Sequence, residues 1–599
     1  MNSRIIILSI ILLLCISCEN FLEPYPRGYY TEETIWDYPE RVQGLINRCY
    51  DLMSYRYNDN EGAYLDAATD NGVITSTNHA LNKMANGSLT AGQDPFYAYW
   101  ERNYQGIYLV NLFLKDSRGF NTRYIVDPQL DQVLRRRLQG EAFALRAWFQ
   151  WDLLQKFGGK GYNGELLGFP IVTEPFETSE RDINMERNTY EECVKQILAD
   201  VDSAHKYLPD AHRDFLVEDP KELLYAGGKY WGRLDGITMT ALKANLYLTW
   251  ASPRFNPQND VTRWEQAAVN AKKVIDFKLT VDNVSNGFNP RTGVNWFNPN
   301  FPGIVFSSRY VQTDQMERLF YPGGFHGSGA IGASQQLVDA FPMANGYPIT
   351  DQVNSGYDPQ NPYVGRDPRF YSNIFYNTAQ AKRNNTGAVM YTFENWVGGK
   401  DAAGRVQQNS KTNYHIKKFV FMGWNAGDAV ISTQPSSKFF IRWAHMVLAF
   451  AEASNQVVGP DDTTFGMSAK DAIQYLRSRL TYDGAAGILP QLPSAPDEYL
   501  AGITSKENFN ELVKNERRIE TCFEGLRFFD LSRWTTDLSQ FNEAVKGVYI
   551  ERNEDGSFTY DYNFVVEERD YSSPFLPIPY NEVLKMDNLV QNEGWDEWR

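Results

Sequence analysis

The chain has 599 residues and a mass of 68.7 kDa, enough to bury a large core without disulfide or metal staples. Its 43% hydrophobic and 22% charged residues exclude a disordered chain, a collagen and a polytopic membrane protein. The net charge of -16 repels phosphate backbones and argues against nucleic acid as a partner, while 14% aromatic residues leave rings that can face a ligand.

The N-terminus reads as an address. Ile5 to Ser17 is apolar or small throughout and follows the positive Arg4. A bilayer span needs about 20 such residues, so this shorter run is expected to be a signal peptide over 1–17. Cys15-Ile16-Ser17-Cys18 resembles a bacterial lipobox, with small Ser17 before Cys18, although such motifs prefer Leu where Cys15 stands. Cys18 is therefore the expected lipidation site and first residue of the mature chain. Several acyl chains on it would hold firmly, since each buried CH₂ adds about 0.8 kcal/mol. Cys49, Cys193 and Cys522 stand at no metal-ligand spacing, and no disulfide framework is indicated.

Helical periodicity dominates after an extended leader. From Asp131 to Phe157, apolar Leu134, Leu138, Ala142, Leu145, Phe149 and Leu153 recur at three- and four-residue steps, and Gly158-Gly159 ends the run. Similar stretches lie near 40–53, 101–115, 189–207, 237–251, 263–277, 440–455, 469–480 and 507–530. Their spacing predicts helix pairs packed in succession, although no clean 34-residue repeat is visible. No long linker interrupts the chain, so 18–599 is expected to form one body. Its helical scaffold falls mainly in 30–255 and 440–535.

The stretch from about 256 to 438 differs. Gly, Pro, Asn and aromatics are dense, and short β-like runs occur, such as Ile304 to Tyr310. Long irregular loops in a helical protein carry function. Sugars offer flat C–H faces to aromatic rings, and their hydroxyls need polar partners, because an unpaired buried polar group costs about 1–3 kcal/mol. On that chemistry the candidate ligand residues are Trp296 (within Asn295-Trp296-Phe297), Tyr321, His326, Trp396 and Trp424. An N-terminal polar loop adds Asp70, Asn71 and Asn78, beside Asp66.

Other motifs point away from catalysis. Gly327 to Gly332 matches GxGxxG, but no strand feeds it; it reads as a loop leading to Ser334, which can cap a helix over 335–341. The segment 516–530 is rich in carboxylates, yet Glu520, Glu524 and Asp530 each have an Arg three residues away, the spacing of surface ion pairs on a helix. The six histidines form no HExxH or compact cluster, and no GxSxG is present. No catalytic residue, metal or cofactor is expected.

A set of motifs in order resembles the SusD-like (RagB/SusD) family of outer-membrane nutrient-binding lipoproteins of Bacteroidetes. The set comprises Cys18-Glu19-Asn20-Phe21-Leu22, Trp100 through Leu114, Glu141 through Gly159, Ala241 through Pro253 and Leu337 through Phe341. It continues with Arg366-Asp367-Pro368-Arg369-Phe370, Ile441 through Ala453, Glu516 through Trp534, and Pro577-Ile578-Pro579 with Gln591-Asn592. The resemblance implies a mainly α fold, with a tetratricopeptide-like helix-pair scaffold and an irregular, minor-β ligand region packed on it. It implies a lipid-anchored protein of the outer membrane facing the cell exterior. Such a protein captures oligosaccharides for a SusC-like TonB-dependent transporter and is not an enzyme. A peptide-binding lid of a peptide importer, a glycoside hydrolase and a purely structural surface protein remain alternatives.

Overall fold

The computed structural model describes residues 35–53, 60–175, 184–283, 289, 293–382, 389–404, 409–421, 433–479 and 497–598. Its longer helices are α1 (Pro39–Met53), α2 (Asn60–Ala67), α3 (Tyr97–Leu114), α4 (Pro128–Phe157), α5 (Tyr190–His205), α6 (Gly236–Ala251) and α7 (Val261–Phe277), followed by α8 (Trp443–Val458), α9 (Ala469–Arg477), α10 (Lys506–Thr521) and α11 (Arg527–Trp534). Neighbours in sequence pack on one another: α3 on α4, α4 on α5, α6 on α7, and α8 on α9 and α10. The result is the mainly α scaffold of packed helix pairs that the periodicity predicts, tetratricopeptide-like as the family resemblance implies.

Local chemistry sets the helix ends. The Asp127 carboxylate accepts the backbone N–H groups of Gln129 and Leu130, and Pro128 stands at the first helical position, so α4 starts three residues before Asp131, where the run read from sequence begins. Thr189 and Glu192 form a capping box on α5, as Ser468 and Asp471 do on α9. The end of α4 has a different cause from the left-handed turn that glycine allows. Gly158 has a φ of -67°, which any residue adopts. Glycine is needed there for contact: a Cβ on Gly158 would lie 2.5 Å from the Leu154 carbonyl oxygen, and one on Gly159 would lie 2.7 Å from the Phe575 ring.

Helix α8 is buried nearly all round from Trp443 to Asn455, which makes it a central helix. The region expected as loop-rich from 256 contains α7, which packs between α6 and α8 and so belongs to the scaffold. Beyond α7 the strands are short and, among the described residues, form only two-stranded antiparallel pairs. Strand β1 (Gly72–Ile74) pairs with β3 (Ile331–Ala333), and β2 (Ile304–Ser307) pairs with β4 (Phe439–Arg442). β4 runs directly into α8, which fixes Arg442 at a buried strand–helix junction.

The sequence motifs hold one another. Arg146 donates to Asp200 at 2.8 Å and to Asn111 at 2.9 Å. Arg366 donates to the Phe341 carbonyl at 2.7 Å, and Arg369 to Glu516 at 2.9 Å. Ile578 and Gln591 exchange hydrogen bonds. The carboxylates of 516–530 also do more than pair along a helix surface. Glu520 meets Arg442, Arg479 and Arg369, and Glu524 meets Arg442, Lys418 and His445; all are buried and come from other elements. Asp530 alone keeps its three-residue partner, Arg533, and adds Arg517.

Candidate functional site

A cleft of about 570 Å³ opens where α2, the start of α3, the second half of α4, α6 and β4 meet. One face of α4 supplies Trp148, Trp151, Asp152, Gln155 and Lys156, which recur at three- and four-residue steps and so point the same way. Trp148 stands edge-on to Phe440 at 5.3 Å, and Phe306 stacks behind Phe440 at 5.4 Å. On the opposite side Tyr64 and His79 stack at 4.4 Å with an 8° angle between rings. The His79 ring also accepts the Leu81 N–H, so it caps the helix Ala80–Ala85 and is held in place. Burial keeps its pKa below the usual imidazole value, which favours the neutral ring.

Polar groups converge beside these rings. Asn103 donates to Asp152 at 2.7 Å, Lys156 pairs with Asp152, and Arg102 approaches it at 3.5 Å. Burial raises the Asp152 pKa, but Lys156 and Arg102 outweigh it and bring the group down to about 2. Arg102 and Lys156 both lie over the Tyr99 ring, at 4.7 and 4.8 Å. Asp94 accepts the Phe96 N–H at 2.7 Å through one oxygen; its other oxygen is buried and meets no donor. Burial pushes Asp94 up to about 6 against those backbone bonds.

The floor is the turn between α10 and α11. Asp66 accepts the backbone N–H groups of Phe523 and Arg527, and Asp70 pairs with Arg527 and Arg518. Two glycines let this turn touch α2. A Cβ on Gly525 (φ +84°) would lie 2.7 Å from the Gly62 Cα, and one on Gly62 would lie 2.9 Å from the Glu524 carbonyl. Glu524 and Asp530 line the cleft but are clamped by cations that overcome burial and hold them ionised. Ring faces bordered by amide, carboxylate and ammonium groups can stack a polar ring and satisfy its hydroxyls.

None of the seven described residues marked from sequence as ligand candidates lines this cleft. Asp70 and Asn71 are buried, with Asp70 paired as above and the Asn71 side-chain Oδ1 accepting from Arg518 at 2.8 Å. Tyr321 is fully buried, and its hydroxyl donates to the Phe421 carbonyl. Asn78 is exposed next to His79, and His326 is exposed in a left-handed conformation (φ +67°). Trp296 is half-buried and stacks at 5.1 Å on Phe439, whose ring lines the cleft, so it stands behind the wall. Trp396 is half-buried with Arg552 5.2 Å over its ring and Phe558 beside it. Cys18 and Trp424 lie outside the described residues. Sequence reasoning missed Tyr64, Tyr99, Asn103, Asp152, Lys156 and Phe440. The available signal was the opposite-charge pair Asp152 and Lys156, four residues apart and on the same face of α4 as Trp148.

The comparisons agree with this architecture. A family model described as "SusD family" matches residues 304–595, and one described as "Starch-binding associating with outer membrane" matches residues 20–222. The chain belongs to the SusD-like family. SusD-like protein P38 of Formosa agariphila is 21% identical over 528 residues, covering 86% of this chain and 88% of that protein. A SusD-like protein of Bacteroides fragilis has a crystal structure that matches with a TM-score of 0.68 at 21% identity, covering 94% of this chain and 99% of that one. A laminarin-binding SusD-like protein matches with a TM-score of 0.51 at 20% identity, covering 93% and 99%. The SusD-like family is a carbohydrate-binding one, and its model description associates it with the outer membrane.

Proposed function

We propose that this SusD-like protein captures oligosaccharides in the cleft of α2, α3, α4 and β4 and passes them to a SusC-like TonB-dependent transporter. The observation that carries this reading is the cleft itself: half-buried rings of Tyr64, Tyr99 and Phe440 set beside Asn103, Gln155 and Asp152. Asn78, exposed beside His79, is proposed as a contact at the rim. Lipidation at Cys18 would hold the protein at the outer membrane facing the cell exterior, where it meets glycans before the transporter does. The helical face is proposed to meet the transporter. The protein binds without cleaving, because Asp152, Glu524 and Asp530 are held ionised and only Asp94, among the carboxylates lining the cleft, is pushed toward the range of a general acid.

Isothermal titration of the full mature chain against a glycan panel, with product analysis, tests the reading. Tyr99→Ala is expected to weaken glycan binding by about tenfold, or about 1.4 kcal/mol, with the melting temperature kept. Binding of peptides but no glycan, or release of shortened glycans, would overturn it.

A further inference from the structure

The cleft carries a local charge opposite to that of the protein. The chain is at -16 overall. Charges on the cleft floor cancel: Arg517 and Arg533 meet Asp530 and Glu452, and Arg442 and Lys418 meet Glu524 and Glu520. The walls keep Arg102, Lys156 and Lys438 against Asp152 and Asp94. Two of these cations share one carboxylate, since Asp152 lies 3.5 Å from Arg102 and also pairs with Lys156. Lys438 makes no ion pair with a described residue; its ammonium stands 5.7 Å from the Phe440 ring centre, and its charge reaches Lys156. Asp94 is the opposing charge, and its unpartnered oxygen offers an acceptor for a hydroxyl.

Cations in a recess with low-dielectric walls concentrate anions there, even on an acidic protein. Ammonium and guanidinium groups bind carboxylate and sulfate oxygens through charge-assisted hydrogen bonds, about twice as strong as neutral ones. We infer that the ligand of this cleft is an anionic saccharide, whose carboxylate or sulfate groups meet Lys438, Lys156 and Arg102 while its ring faces stack on Tyr99 and Phe440. This narrows the oligosaccharide reading and rests on it.

The test titrates the mature chain with three probes: an oligogalacturonate, a sulfated galactan oligosaccharide and a neutral laminari-oligosaccharide, each in 50 and 500 mM salt. The expected result is that one anionic probe binds at least about tenfold tighter than the neutral one. Its affinity falls at high salt, because the ionic contacts are screened. Which anionic probe wins separates a uronate from a sulfate ligand. Lys438→Gln breaks no ion pair with a described residue, so it keeps the melting temperature and selectively weakens the anionic probe, by about fivefold to tenfold. Equal or tighter binding of the neutral probe, or no effect of Lys438→Gln, overturns the anionic inference and leaves the glycan reading standing. Binding of an acidic peptide with no glycan bound overturns both.

Discussion

Gly525→Ala is expected to destabilise the protein and damage the cleft together. Gly525 has φ +84°, and the left-handed region costs a residue with a Cβ about 1–2 kcal/mol. The new Cβ would also stand 2.7 Å from the Gly62 Cα, where carbon atoms prefer about 3.5–4.0 Å. Both partners are backbone, so neither can swing aside, and overpacking of this kind adds about 1–3 kcal/mol. The sum is about 2–5 kcal/mol. Gly556 is a matched control, with φ +86° and nothing within 4 Å of its added Cβ, so Gly556→Ala should lose only the conformational share. Urea unfolding of the two variants and the parent isolates the contact part as their difference. The displaced turn carries Phe523 and Arg527 away from Asp66, so glycan binding should weaken in Gly525→Ala and not in Gly556→Ala. Equal losses in the two variants would refute the close-contact argument.

Arg442→Met should cost about 3 kcal/mol in the same assay, because it strips a buried cation from both Glu520 and Glu524; a loss below about 1 kcal/mol would show that Lys418, Arg479 and Arg369 suffice. Stability should peak near pH 4–5. Asp66 and Glu317 are raised by burial from 3.8 and 4.5 to about 7, so their contribution is complete below about pH 4 and is lost as pH rises toward 7. For Asp66 alone the three-unit shift corresponds to about 4 kcal/mol. Glu520 and Asp152 run the other way: burial raises them, but their cation partners bring them to about 2, so their contribution is lost as pH falls from about 4 to 2. Melting temperatures that climb steadily from pH 5 to 8 would contradict this. Cys49, Cys193 and Cys522 are buried with their thiol pKa values pushed up by that burial, Cys193 and Cys522 to about 12. None of the three should react with iodoacetamide in the native protein at pH 8, as site-resolved mass spectrometry would show.

The helices were legible because their signals are local. The three- and four-residue apolar steps of α4 and the Asp127 cap sit within one segment of chain, as does the cap in which the Ser334 side chain accepts the Leu337 N–H. The fold class and the family motifs follow from such patterns read in order. The cleft proposed to hold the ligand was not legible in that way. Trp296 and Tyr321 looked like free rings in a loop-rich stretch, yet one buttresses Phe439 and the other is buried with its hydroxyl engaged. Asp70 looked like a loop acid and instead clamps two arginines about 450 positions away in the chain.

The sequence by itself determined the helical scaffold, the absence of catalytic motifs and the family, because periodicity, caps and ordered motifs are properties of the chain. Only the tertiary structure decided which aromatics and charges face a common space. Tyr64, Tyr99, Asp152, Lys156, Lys438 and Phe440 come from four separate segments, and the cleft exists only where α2, α3, α4 and β4 converge. Burial and pairing, which turn a carboxylate into either a framework ion or a ligand contact, are set by neighbours that no stretch of sequence contains.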